Sequence, residues 1–182
     1  MSRKIIVLNG SSRKNGNTAV LVDSFVGGAR ESGNTVTVFN VSQMNIKFCI
    51  GCYAGGKDPQ SPCTQKDDME KIYPAFMEAD IVVLASPLYF WNFSAQLKCA
   101  FDRLFAVLEI DPHYKCPKKD CILLMTAEGK TYDASINYFE KLAFKLGWQN
   151  IGSILIGGLK EKDDIHNKPE LEEARKLGLS IV

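Results

Sequence analysis

Five short, β-rich apolar runs alternate with amphipathic stretches along this chain, and that alternation leaves few folds open to it. The runs fall near 4–9, 35–40, 80–85, 120–126 and 150–156, and the stretches between them predict helices near 18–32, 67–78, 94–108, 132–146 and 169–179. Ile81-Val82-Val83-Leu84-Ala85 and Cys121-Ile122-Leu123-Leu124-Met125 show no polar alternation, which suits strands buried on both faces, as parallel strands are. Gly33 and Gly147 fall where helices should stop. Repeated β/α units of this kind predict a doubly wound parallel sheet in a three-layer α/β domain. At 182 residues the chain fits one such domain, residues 1–182, with no linker, repeat or low-complexity segment to divide it.

Charge and composition exclude several partners. A net charge of +1 gives no electrostatic footprint for nucleic acid or an anionic membrane. The start, Met-Ser-Arg-Lys, precedes too few apolar residues for a signal peptide's core or a membrane span, so a cytoplasmic protein is expected. In that compartment the six cysteines (49, 52, 63, 99, 116 and 121) read as thiols or ligands rather than disulfides.

The loop after the first strand carries the strongest functional signal. Ile5 to Leu8 lead to Asn9-Gly10, and Ser11-Ser12-Arg13-Lys14-Asn15-Gly16-Asn17-Thr18 opens a helix. A helix N-terminus offers unpaired N–H groups and the positive end of the helix dipole, which together favour an anion. Ser11, Ser12, Asn17 and Thr18 can add side-chain hydrogen bonds, and Arg13 a charge-assisted one. A P-loop requires Lys and a hydroxyl residue where Asn17-Thr18 stands, and a dinucleotide fingerprint requires glycines at positions 12 and 15, which are Ser and Asn. What remains suits a single terminal phosphate, as in flavodoxin-like sheets of strand order 2-1-3-4-5, whose ligand crevice lies at the carboxyl ends of strands 1 and 3.

Two further loops can reach that crevice. Strand 3 ends in Ser86-Pro87-Leu88-Tyr89-Phe90-Trp91-Asn92-Phe93-Ser94, where apolar faces and backbone amides suit a flat ring system. The same aromatics suit a subunit interface. Strand 4 ends in Thr126-Ala127-Glu128-Gly129, with Gly129 allowing close backbone approach.

These segments resemble the flavodoxin-fold NAD(P)H-dependent FMN reductase family, which also contains iron–sulfur flavoproteins and quinone-type reductases. The resemblance rests on Gly10-Ser11-Ser12-Arg13, Gly16-Asn17-Thr18, Ser86 to Asn92, Ser94-Ala95-Gln96-Leu97-Lys98 and Phe101-Asp102-Arg103-Leu104, and covers roughly residues 3–155. It implies that Ser11, Arg13, Asn17 and Thr18 hold the FMN phosphate. Pro87, Leu88, Tyr89, Phe90, Trp91 and Asn92 would hold the isoalloxazine, and Thr126, Ala127, Glu128 and Gly129 would line its other side. A homodimer would form partly through the helix from Ser94, the partner completing the site. NAD(P)H would reduce the flavin, which would then reduce a small acceptor such as a quinone or a free flavin. The alternatives are a non-enzymatic electron carrier and a redox-sensing flavoprotein.

Iron–sulfur flavoproteins carry four cysteines in the second long loop, the first three spaced by two residues. Here Cys49, Cys52 and Cys63 are present, but Gly55 occupies the third position. Three local thiolates fall short of the four that a cluster or a structural zinc site uses, so no metal is expected. A redox-active Cys49/Cys52 dithiol stays open beside the plainer reading of free thiols covering the flavin pocket. No catalytic side chain is expected, because the flavin carries the chemistry.

Overall fold

The computed structural model describes residues 2–182. Strands β1 (Lys4–Asn9), β2 (Thr35–Asn40), β3 (Ile81–Pro87), β4 (Asp120–Thr126) and β5 (Gln149–Ile156) form one parallel sheet in the order β2-β1-β3-β4-β5. This is the flavodoxin-like arrangement the strand pattern predicts. Helices α1 (Asn17–Glu31), α2 (Met69–Glu78), α3 (Ala95–Arg103), α4 (Phe105–Leu108), α5 (Asp133–Leu146) and α6 (Glu170–Leu179) cover its faces. No helix among the described residues is long and apolar enough to cross a membrane.

The two-residue period of the strands sorts the core into two layers. Ile5, Val7, Ile81, Val83, Ile122 and Leu124 share one layer with Leu21 and Phe25 of α1 and Ala174 of α6. Ile6, Leu8, Val82, Leu84, Leu123 and Met125 point the other way, to Ile72 and Phe76 of α2, Leu97 of α3 and Phe139 of α5. Because both faces are covered, the central strands are apolar throughout.

The helix expected over 94–108 is two helices. Leu104 lies between α3 and α4, and its N–H donates to the Phe101 carbonyl three residues back (3.0 Å). This tighter hydrogen bond closes α3 just after Arg103, whose side chain is fully buried. From β1 the chain crosses to β2 on one side, while β3 pairs on the other. The carboxyl ends of β1 and β3 therefore flank an open crevice.

Candidate functional site

The loop leaving β1 is fixed from below. Gly10 N–H donates to the Ala85 carbonyl (2.8 Å), and the Gly10 carbonyl accepts from Ser94 Oγ (2.8 Å). Ser94 caps α3 with the same hydroxyl, accepting from Leu97 N–H (3.2 Å). A side chain at position 10 would overlap Ser94 Oγ, so glycine is required where α3 meets the loop. Asn9 Oδ1 accepts from Ser11 N–H (3.0 Å), and Ser11 Oγ accepts from Arg13 N–H (3.3 Å).

Above this base, α1 begins without a side-chain cap. Its N-cap is Gly16, and its first turn has no acidic residue. The first N–H groups and the positive end of the dipole therefore remain available to an anion. Asn17 Nδ2 donates to the Glu161 carbonyl (2.9 Å), while its Oδ1 is buried without a partner. Thr18 Oγ1 and Thr126 Oγ1 lie 2.7 Å apart in a buried hydrogen bond that ties the loop to the end of β4.

After β3 the chain makes a turn of unusual composition. Tyr89 and Asn92 exchange both backbone hydrogen bonds (3.0 Å each), and the two residues between them, Phe90 and Trp91, have φ of 47° and 59°. Positive φ at both central positions is the signature of a type I′ turn, which favours Asn-Gly. Two aromatic residues are strained there, at a cost of about 1–2 kcal/mol each. They are also exposed, Phe90 to 95% and Trp91 to 59%. Strain together with exposure of large apolar groups marks a surface shaped for something other than the monomer's own core. Phe93, expected with them, instead packs in the core, edge-on against Tyr138 (5.4 Å between centroids).

Two adjoining cavities occupy the crevice. One, of about 210 Å³, is lined by Ser11, Arg13, Gly16, Asn17, Thr18, Pro87, Leu88, Tyr89, Thr126, Ala127 and Glu128. The other, of about 400 Å³, is lined by Leu88, Phe90, Trp91, Ala127, Glu128, Gly129 and Thr131. Ser12 and Asn92 line neither: Ser12 is exposed on the loop, and Asn92 turns its Oδ1 to Phe93 N–H (2.7 Å). Leu159 and Lys160, which no sequence motif marks, also line the smaller cavity. They follow β5, and Leu159 N–H donates to the Ala127 carbonyl (3.0 Å). Lys160 gives this cavity a second cation beside Arg13.

The cysteine loop lies elsewhere. It lines a separate cavity against α3 and α4 that shares no residue with the crevice cavities, so its thiols do not cover the crevice within one chain. Arg103 anchors it with a fully buried guanidinium, donating to Asp67 Oδ2 (2.6 Å), the Lys47 carbonyl (2.8 Å) and the Gln65 carbonyl (3.2 Å). Burial alone would raise the Asp67 carboxyl. Hydrogen bonds from Arg103 and from the N–H groups of Lys47 and Met69 outweigh it and hold the group below the usual carboxylate range.

A sequence model of the family described as NADPH-dependent FMN reductase matches residues 3–154. The chain belongs to that family. Membership of that family implies FMN as the cofactor. Curated relatives include an iron–sulfur flavoprotein of Archaeoglobus fulgidus, 36% identical over 56% of this chain and 45% of its own length. Another, from Clostridioides difficile, is 29% identical over 84% of this chain and 66% of its own length. The chain spans about half the length of the curated relatives it matches first. Among solved structures, an NAD(P)H:quinone oxidoreductase from Methanothermobacter marburgensis superimposes with a TM-score of 0.72 at 18% identity, covering 98% of this chain and 96% of that one. An azoreductase from Bacillus anthracis gives 0.70 at 17% identity, covering 98% and 99%. At such identities these likenesses establish the fold.

The residues present fit FMN. The uncapped α1 and its cations suit a phosphate, the orphaned Asn17 Oδ1 would accept from a ligand hydroxyl, and the apolar turn adjoins them on the same edge. They do not fit an iron–sulfur cluster of the kind the relatives' names imply. Position 55 is Gly, and the space its side chain would need holds the Glu109 carboxylate. Cys99, the nearest thiol on α3, points its S–H at the Ile46 carbonyl (3.7 Å), and burial pushes it up and keeps it protonated.

Proposed function

We propose that this chain is an FMN-dependent oxidoreductase that passes reducing equivalents from NAD(P)H to a small acceptor such as a quinone or a free flavin. One observation carries the reading: an uncapped, cation-flanked helix N-terminus adjoins an exposed apolar turn at the same sheet edge. Bound there, the flavin supplies hydride acceptance and donation. The chain supplies position and charge. The α1 N-terminus, through backbone N–H groups such as that of Asn17, together with Ser11 and Arg13 would hold the phosphate, while Asn17 Oδ1 would accept from a ligand hydroxyl. Leu88, Phe90 and Trp91 cover the ring and exclude water. A type I′ turn does not use the N–H groups of its two central residues, so those of Phe90 and Trp91 are free to stabilise negative charge on a polar ring edge. No side chain in either cavity is needed as nucleophile or base.

The exposed turn also supports a second copy of the chain as its cover. Sedimentation should then give a dimer or a multiple of one; a monomer at micromolar concentration overturns the pairing. For the cofactor, the test is titration of the apoprotein with FMN and with riboflavin, followed by anaerobic addition of NADH or NADPH. FMN should bind more tightly, and the bound flavin should bleach and recover with a quinone. Equal affinities would remove the phosphate assignment, and a flavin that fails to bleach would remove the reductase reading.

A further inference from the structure

The cavity behind the cysteine loop has a volume of about 390 Å³, within the range of small-molecule sites. Three thiols line it: Cys49 and Cys52, which are exposed, and Cys63, which is half-buried beside the Tyr73 hydroxyl and the Arg103 guanidinium. All three are free thiols. The walls are pinned at both ends. Arg103 holds residues 47, 65 and 67, and Gly55 N–H donates to Glu109 Oε2 (3.2 Å). Arg103 also lines the cavity, and its Nε–H is a buried donor without a partner.

The three sulfurs are not equivalent. Cys52 Sγ lies 3.5 Å from Thr64 Oγ1 and also meets the backbone N–H of Ala54. Two donors converging on one exposed sulfur favour its thiolate, the reactive form of cysteine. The Thr64 hydroxyl is the larger cause and the Ala54 N–H the next, and together they hold the Cys52 thiol below its usual value against partial desolvation and, less, the Glu109 carboxylate. Among the described residues, no three His, Cys, Asp or Glu side chains are grouped as metal ligands would be. The arrangement therefore suits covalent sulfur chemistry better than metal coordination.

We propose that Cys52 is the nucleophile of a thiol–disulfide exchange site, and that the cavity beside it receives one half of a low-molecular-weight disulfide. The Cys52 thiol first loses its proton to water. Its thiolate bonds to one sulfur of the incoming disulfide, and the S–S bond of that molecule breaks. The other half leaves as a thiolate and takes a proton from water. One disulfide and one thiol become one mixed disulfide and one thiol, so no outside electron donor or acceptor is consumed. Thr64 is the positioning residue. The site is independent of the flavin reading, since the two regions share no lining residue.

The test uses the reduced, purified full chain and glutathione disulfide as probe, without oxygen, with peptide mapping by mass spectrometry over time. The expected first product is a glutathione adduct on Cys52, from which a neighbouring thiol can later displace glutathione to leave an internal disulfide. The adduct should form at least about tenfold faster than adducts on the other five cysteines, because thiolate fraction favours Cys52 over the equally exposed Cys49, and exposure favours it over the other four. Cys52→Ser should abolish the fast phase. Thr64→Val should slow it several-fold and move the midpoint of its pH–rate profile upward, while Cys49, Cys63, Tyr53, Asp102, Arg103 and Glu109, the other titratable groups facing the cavity, stay in place. Circular dichroism of each variant distinguishes lost reactivity from lost fold, and the wild-type map decides the site without any variant. First labelling at Cys49 or Cys63, a Cys52 rate no faster than that of free glutathione, or iron or zinc held by the loop in the purified protein would each overturn the proposal.

Discussion

The crevice at the carboxyl edge of the sheet is built from what the fold leaves unpaired, whereas the cysteine cavity is built from what side chains pin down. In the crevice, the start of α1 has no cap, Asn17 Oδ1 has no partner, and two aromatics project from a strained turn. The sheet topology alone creates that opening, and its loops need only avoid filling it. The cysteine cavity has no strand end to form it. It exists because Arg103 and Asp67 clamp both ends of a long loop against α3. One region should therefore survive changes that dismantle the other, and substitutions can test that independence.

The largest effect is expected from Asp67→Asn. It leaves the Arg103 guanidinium buried without a counter-charge, and breaking such a pair costs about 3 kcal/mol or more. Thermal unfolding should shift down accordingly and Cys63 should become reactive, yet FMN affinity should change far less. An equal loss of FMN binding would erase the distinction between the regions. The pair also sets a pH dependence. The Asp67 carboxyl is held low in the folded chain, so its stabilisation is complete above the ordinary carboxylate value of about 4 and is lost as pH falls through the lower folded value. Asp67→Asn should flatten that part of the acid-unfolding profile.

Arg13→Ala addresses the other region. A hydrogen bond involving a charged group contributes about 1.5–3 kcal/mol, so FMN affinity should fall roughly tenfold to a hundredfold. Riboflavin, which lacks the phosphate, should bind as before. Since Arg13 is exposed, thermal stability should hardly move. Loss of both flavins together would show that Arg13 shapes the loop rather than meeting the phosphate.

What the sequence made legible follows the same division. The strand runs and the 10–18 and 87–92 loops could be read because their signals are local: apolar runs, a hydroxyl-rich turn, a cluster of aromatics. Lys160 could not be, because it reaches the crevice through contacts far apart in sequence, such as Asn17 Nδ2 on the Glu161 carbonyl. Glu109 was equally hidden. Only folding shows that its carboxylate fills the space above Gly55. Phe93 resembled its aromatic neighbours in sequence, but the turn closes at Asn92 and directs it inward to Tyr138. The break at Leu104 leaves no mark in the apolar periodicity.

A smaller and opposite pair of effects is expected at the turn. Phe90→Asn with Trp91→Gly installs the residues that a type I′ turn favours. Asn still carries part of the positive-φ cost and Gly adds freedom to the unfolded chain, so the net gain in stability should be about 1–2 kcal/mol rather than the sum of both strains. The same change removes the apolar cover, so flavin retention and self-association should both weaken. A more stable protein that still binds flavin and self-associates as the wild type does would show that the strained aromatics serve neither role.

The smallest effect is expected from Cys49→Ser with Cys52→Ser. Neither residue lines the crevice cavities, and hydride exchange with a flavin needs no dithiol. NAD(P)H-to-quinone turnover should stay within about tenfold, a barrier change of no more than about 1.4 kcal/mol. Both side chains are exposed, so Ser should be accommodated without loss of fold. Exchange with glutathione disulfide should vanish in the same variant. The informative outcome is the pairing of the two assays: turnover kept and exchange lost means two independent sites on one chain. If turnover collapses while flavin stays bound, electrons must pass through the thiols, and the two cavities are stations on one route.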